Sequence, residues 1–322
     1  MVFEEKKVLV CGGTGFIGSH VVDKLLDSGS IVSVVTRKKD SNKVKYNLDS
    51  SRKKINLIEA NLNNLNNCKE IVKEQDIIFN CASSVGSMAY SKSHADIFRN
   101  NVLIELNLLE ASRLNDIEKY LMISSASIYP EANTPLKEKD SLLGEISDSK
   151  FGYGWSKRAN EIAAKSYFKQ YGMKIAIVRP ANVYGPRDNF SSRGLVIPTF
   201  IENVFSNKPI VIAGDGSQIR DFINVADCVE GIFLTLKNYC IADPLNLSTA
   251  KQTTIKELAE KIIAFSEKKV TINYNKSSNI GPKKIVLDGL KAEEMIGFKA
   301  KISLDAGLKE TIDWFKKIYG KN

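Results

Sequence analysis

Short runs rich in Val and Ile recur along the first half of the chain, each followed by a stretch with apolar residues at helical spacing. Lys7–Cys11, Ile31–Thr36, Ile55–Ala60, Ile77–Asn80, Tyr120–Ile123 and Lys174–Val178 read as strands. Ser19–Leu26, Cys68–Glu74, Asp96–Leu114 and Trp155–Tyr171 read as helices between them, the first stopped at Ser28-Gly29. Strands that are apolar on both faces and separated by helices predict a parallel sheet covered on both sides. The expected fold class is therefore α/β, with a doubly wound parallel sheet.

Beyond Pro180 the pattern changes: Pro and Gly crowd together and the strands shorten. Asp227–Leu236 reads as a helix and Pro244–Leu247 as a strand returning to the sheet, while Ile255–Phe265 and Leu304–Ile318 read as peripheral helices. This predicts a sheet domain over 1–180 plus 223–248 and a smaller, interleaved C-terminal substrate lobe over 181–222 plus 249–322.

The glycine run Gly12-Gly13-Thr14-Gly15-Phe16-Ile17-Gly18 lies between the first strand and the first helix. Glycine there lets backbone approach a pyrophosphate, whose charge rests on amide N–H groups at the helix N-terminus. Placement after a strand and before a helix makes this a dinucleotide loop rather than an ordinary turn, and the sheet domain a Rossmann domain. An acidic residue closing the second strand would take the ribose hydroxyls and favour NAD(H). The chain instead has Thr36-Arg37-Lys38-Lys39 there. Arg37 can pair with a 2′-phosphate, which favours NADP(H) and leaves NAD(H) as the alternative.

Tyr153 and Lys157 stand four residues apart, on one helix face. An ammonium 4 Å from a phenol favours the phenolate by about 4 kcal/mol at an effective dielectric near 20, enough to make tyrosine a proton shuttle. Such a pair is common by chance, so its context decides. That context is Ser124-Ser125-Ala126-Ser127-Ile128-Tyr129, directly after a strand, where open parallel sheets bind ligands. A hydroxyl there can hold a substrate oxygen while the tyrosine moves the proton.

Composition limits the alternatives. The 322 residues are 43% hydrophobic and 26% charged, ample for a core and unlike a disordered chain. No apolar run approaches the roughly 20 residues of a membrane helix, and MVFEEKKVLV is acidic where a secretory signal is basic. A cytoplasmic protein with no membrane partner is expected. Forty-six basic against 37 acidic residues give +9, yet no long basic or aromatic-interleaved run points to nucleic acid. Five cysteines (Cys11, Cys68, Cys81, Cys228, Cys240) without a CxxC pair, and only His20 and His94, argue against a disulfide framework and against any metal site.

With these residues in place the chain resembles the extended short-chain dehydrogenase/reductases acting on nucleotide-diphosphate sugars, the NAD(P)-dependent epimerase/dehydratase family. The resemblance covers nearly the whole chain through GGTGFIG, Asn80-Cys81-Ala82-Ser83, NNVLIELNLLEA, SSASIYP, YGWSK, RPANVYGPRDNF and GDGSQIRDFINVADCVEGI. It implies Ser125 as the catalytic hydroxyl, Tyr153 as acid/base and Lys157 as the ribose-binding cation. It implies cofactor contacts from Gly12, Thr14, Gly15, Phe16, Ile17, Gly18, Arg37, Asn61, Leu62, Cys81, Ala82, Ser83, Asn101, Tyr153, Lys157 and Pro180. Val85, Ser125, Ser127, Asn182, Arg187, Val196 and Arg220 are implied for the nucleotide sugar, with Arg220 also suited chemically to phosphate.

Local likeness is strongest to the GDP-fucose synthase and UDP-galactose 4-epimerase branches. In the first, epimerisation uses a cysteine and a histidine whose matching positions here are Ser127 and Leu195. The Asp-Glu pair of the sugar 4,6-dehydratases matches Ala126-Ser127. Neither 3,5-epimerisation nor dehydration is therefore expected. Hydride exchange at C4 remains, as a 4-keto-(6-deoxy)sugar reductase using NADPH or as a 4-epimerase with tightly held cofactor. A non-catalytic dinucleotide sensor is the remote alternative. The resemblance further implies a homodimer through helices near 100–114 and 155–171, and a role in polysaccharide biosynthesis.

Overall fold

The first strand sends Val8 and Val10 into one apolar core and Leu9 and Cys11 into another, all four fully buried. In the computed structural model, which describes residues 2–39, 41–48, 51–84, 93–190, 195–276 and 281–320, this alternation organises the larger part of the molecule. The chain runs β1 (Lys7–Cys11), α1 (Phe16–Asp27), β2 (Ile31–Thr36), α2 (Asn42–Asn47), β3 (Asn56–Glu59), α3 (Leu65–Val72), β4 (Ile77–Asn80) and α4 (His94–Leu114). Next come β5 (Lys119–Ile123), α5 (Phe151–Tyr171), β6 (Ile175–Pro180), β7 (Asn182–Tyr184), α6 (Val196–Phe205), β8 (Ile210–Ala213), β9 (Ile219–Arg220) and β10 (Phe222–Asn224). It ends with α7 (Val225–Asn238), β11 (Leu245–Leu247), β12 (Thr253–Thr254), α8 (Ile255–Ser266), β13 (Ile272–Asn275), β14 (Lys284–Ile285), α9 (Leu290–Ile296) and α10 (Leu304–Tyr319).

Seven strands form one parallel sheet in the order β11-β6-β5-β4-β1-β2-β3. Val21, Val22 and Leu25 of α1 pack with Cys228, Ile232 and Leu236 of α7 on one face. Cys68 and Val72 of α3, Leu108 and Leu109 of α4 and Ala164 of α5 cover the other. The chain reverses direction across the sheet between β1 and β4, and such a switch point opens a crevice at the carboxyl ends of the strands. A third core joins α6, β8, α8 and α10 through Ile201, Ile210, Leu258 and Ile312, apart from the sheet. The parallel, doubly wound reading of the sequence holds.

Several helices start earlier than their apolar periodicity indicated, among them α1 at Phe16 rather than Ser19 and α5 at Phe151 rather than Trp155. Glycines in those first turns carry no hydrophobic signal, yet they let the helices approach other backbone. The short helix α2 had no periodic signature; the Ser41 hydroxyl caps it by accepting from the Val44 N–H, and Val44 is buried. All five cysteines are free thiols. Among the described residues no helix is long and apolar enough to cross a membrane, and no His, Cys, Asp and Glu cluster could hold a metal.

Candidate functional site

The carboxyl ends of β1, β4, β5 and β6 bring the glycine loop, Cys81-Ala82-Ser83, Ser124-Ser125 and Pro180 to one edge of the sheet. The loop is shaped by close approach. A Cβ on Gly12 would lie 2.7 Å from the Ala82 backbone nitrogen, and Gly12 holds a φ of +77°. A Cβ on Gly18 would lie 2.3 Å from the Gly12 carbonyl oxygen. Gly15 is the N-cap of α1 and offers no side chain to the first helical N–H groups. Those amides and the positive end of the helix are the donors a pyrophosphate takes. The loop thus fits a dinucleotide: closely packed backbone, and an N-cap that leaves the first helical amides without a side-chain cap.

Across the crevice, α5 carries Tyr153 and Lys157. Lys157 is 4% exposed, donates from Nζ to the Ile123 carbonyl at 2.7 Å, and lies 5.8 Å from the Tyr153 ring centroid. Ile123 is the last residue of β5, so this bond ties the cation to the strand that delivers the serines. Ser125 Oγ accepts from the Ser127 N–H at 3.1 Å and caps the turn Ala126–Ile128. A Cβ on Gly154 would lie 2.5 Å from the Ser127 carbonyl oxygen, so the glycine after Tyr153 is what lets α5 rest on the serine turn. Gly152 plays the same part against His94, whose Nδ1 accepts from the Gly152 N–H at 3.2 Å. His20 is likewise structural, its Nε2 2.9 Å from the Pro186 carbonyl. Neither histidine offers a base to the site.

The other expected residues divide by what they touch. Asn101 spends its whole amide on protein: Oδ1 accepts from the Ser84 N–H and Ser83 Oγ, and Nδ2 donates to the Ser84 carbonyl and Ser156 Oγ. Its role here is to brace the strand end beside α5. The Cys81 thiol is pushed up to about 12 by burial and stays protonated. Thr36 closes β2 with its hydroxyl bound to the Lys38 backbone, while Arg37 is exposed. Asn61 and the buried Leu62 follow β3 beside it. Asn182 donates from Nδ2 to the Asp221 carbonyl at 2.8 Å. Arg187, with a left-handed φ of 66°, pairs with Asp23 of α1 at 2.6 Å, and Val196 opens α6 against the third core. Val85 lies outside the described residues.

Arg220 donates only to its own neighbour, the Ile219 carbonyl, among the described residues, and burial lowers its guanidinium although Glu131 opposes this. The motifs did not indicate its companion Lys150, the residue immediately before α5. Burial and then the Arg220 charge push the Lys150 ammonium down to about 8. Neither cation has an ion pair with a described carboxylate. The Arg220 charge acts on Lys150, and two largely desolvated cations within reach of one another's field can take a multiply charged anion. The sequence signal for Lys150 is its position three residues before Tyr153, at the start of the same helix.

Comparison with known proteins gives a consistent picture. The sequence model of the NAD dependent epimerase/dehydratase family matches residues 8–245. The chain is 31% identical to a GDP-mannose 3,5-epimerase of Arabidopsis thaliana, over 98% of this chain and 83% of that protein. It is 31% identical to a dTDP-4-dehydro-6-deoxy-D-allose reductase of Streptomyces sp, over 97% of this chain and 96% of that one. In structure it resembles the UDP-glucuronic acid 4-epimerase of Bacillus cereus in complex with UDP-glucuronic acid and NAD. That likeness has a TM-score of 0.87 and 28% identity over 97% of this chain and 100% of the other.

Proposed function

The chain belongs to the NAD dependent epimerase/dehydratase family, and on that premise we propose that it reduces the 4-keto group of a nucleotide-diphosphate (6-deoxy)sugar, using NADPH. The observation that carries this reading is the buried Lys157 held between the Ile123 carbonyl and the Tyr153 ring, beside the Ser125 turn. When bound, the dinucleotide supplies hydride to C4. Ser125 holds the C4 oxygen, and Tyr153 gives that oxygen its hydroxyl proton as the carbonyl becomes an alcohol. Lys157 stabilises the phenolate left behind. Arg220 with Lys150 takes the diphosphate, and 181–222 with 249–322 forms the lobe that holds the sugar nucleotide. The exposed Arg37 follows Thr36 rather than an acidic residue at the end of β2, which supports NADP(H) over NAD(H), although the Glu59 carboxylate, opposite Thr36 on β3, accepts from the Lys39 N–H at 3.2 Å. A cytoplasmic setting belongs to the same reading.

The Arabidopsis relative's name includes 3,5-epimerisation, but the two positions matched to that chemistry are Ser127 and the exposed Leu195. A serine hydroxyl is a poor acid/base and leucine does not titrate, so that reaction is not proposed here. A 4-epimerase is the second reading, supported by the likeness to the NAD-bound Bacillus cereus enzyme. Stoichiometry separates the two. Net NADPH consumption with a 4-keto sugar nucleotide is the expected result. Interconversion of two sugar nucleotides without net oxidation would replace the reductase with the epimerase.

A further inference from the structure

Under the crevice edge lies a carboxyl group that hydride transfer does not use. Glu105, in the middle of α4, is 2% exposed. Its Oε2 accepts from Asn80 Nδ2 at 2.9 Å, and its Oε1 accepts from the Tyr120 hydroxyl at 2.9 Å. Asn80 ends β4, and its Oδ1 accepts from the Ala82 N–H at 3.1 Å. Ala82 is the backbone against which Gly12 packs, too closely for any side chain. An unbroken line of contacts therefore joins Glu105 through Asn80 and Ala82 to the first glycine of the phosphate loop.

Burial pushes the Glu105 carboxyl up to about 7, held back by the Lys157 ammonium and by the bonds from Tyr120 and Asn80. The titratable groups facing it are Tyr120 from β5, Cys11 from β1 and Lys157 from α5. Burial raises Tyr120 and Cys11 well above their ordinary values, so both stay neutral. Lys157 is the charge among the described residues that acts on Glu105.

We propose that Glu105 is a positioning residue of the dinucleotide site: its carboxylate locks the Asn80–Ala82 turn against the phosphate loop and serves as the buried counter-charge to Lys157. This rests on the reading of the crevice as a dinucleotide site worked by Tyr153 and Lys157. A reduced nicotinamide dinucleotide carries one more negative charge than the oxidised form. An ionised Glu105 behind Lys157 thus weakens the reduced form relative to the oxidised one, and protonation removes that bias.

Dissociation constants of NAD⁺, NADH, NADP⁺ and NADPH, measured by titration calorimetry between pH 6 and 8.5, test this without any sugar substrate. In the parent, the affinity ratio of reduced to oxidised form should fall about fivefold as pH rises through 7. Glu105→Gln keeps an acceptor for Asn80 and a donor to Tyr120 but loses the charge, so its ratio should stay flat at the parent's low-pH value. Glu105→Ala loses the lock as well and should weaken both forms about tenfold. Asp188 and Lys150 also titrate near this range, which makes the Gln variant the deciding arm. Tyr120→Phe, conservative in volume, removes one donor to the carboxylate and should move the midpoint upward if the Gln variant does not fold. A flat ratio in the parent, an unchanged pH response in Glu105→Gln, or parent-like binding by Glu105→Ala would overturn the proposal. Failure of every sugar nucleotide to turn over, with the ratio behaving as stated, would overturn the assigned reaction and leave Glu105 in its role.

Discussion

In the proposed reaction Tyr153 and Lys157 have no described substitute nearby, because the two histidines are spent on backbone contacts and the Cys81 thiol is held protonated. Tyr153→Phe should lower turnover about 10²- to 10⁴-fold, the usual contribution of a positioned acid, while binding of the sugar nucleotide by calorimetry stays near parent. At the proposed phosphate end, burial and the Arg220 charge lower Lys150 to about 8, and a diphosphate favours its charged form. KM for the sugar nucleotide should therefore rise above pH 8 in the parent. In Lys150→Met it should be higher throughout and lose that rise, with kcat changed less. Glu105 and Asp188 are both raised to about 7 by burial. Protonated in the folded chain but ionised in the unfolded one between about pH 4 and 7, each favours folding at low pH, and this is lost as pH rises through 7. Chemical denaturation at pH 5.5 and 8 should thus show a smaller loss of stability in Glu105→Gln than in the parent.

The elements that make the site are α1 and α5, and each begins with glycines that a hydrophobic pattern does not register. The motif GGTGFIG announced a helix start from the sequence, but the reason for Gly18 is a contact with Gly12 across the turn. Gly18→Ala should abolish dinucleotide binding by calorimetry while most of the sheet core is untouched, because the clash is with backbone and nothing flexible can yield. Gly154 was legible only as part of YGWSK. Its cause is the Ser127 carbonyl of another element, and contacts between elements leave no spacing in a sequence. For the same reason the placement of Asn101 near the strand ends was readable, but the protein partners of its amide were not. Arg187 followed suit, drawn to Asp23 on α1 by a left-handed turn after Gly185-Pro186.

Across the whole molecule, the buried ion pair of Arg179 with Glu161 couples β6 to α5, and Tyr129 and Ser141 supply further bonds to the guanidinium. Glu161→Gln leaves that guanidinium uncompensated and should cost about 3 kcal/mol of stability, read as a lower urea midpoint at unchanged slope. On the outer surfaces of α4 and α5, Phe98, Leu106, Ile162 and Tyr171 stand exposed. If these helices form the homodimer that the family resemblance implies, light scattering will give twice the chain mass and Ile162→Glu will give the monomer. A parent that is monomeric at all concentrations removes the dimer.

The amino-acid sequence by itself determined the alternation of strands and helices, the parallel sheet, the phosphate loop and the Tyr153–Lys157 pair. Each depends on residues within a few positions of one another, where covalent spacing dictates geometry. Only the tertiary structure decided that Lys150 feels the Arg220 charge, that Arg187 goes to Asp23, and that Glu105 bonds Asn80 and Tyr120 within the field of Lys157. Those meetings follow from strand order and from which helices share a face of the sheet, as α4 and α5, which carry Glu105 and Lys157, do. They also turn on desolvation, which no local pattern records.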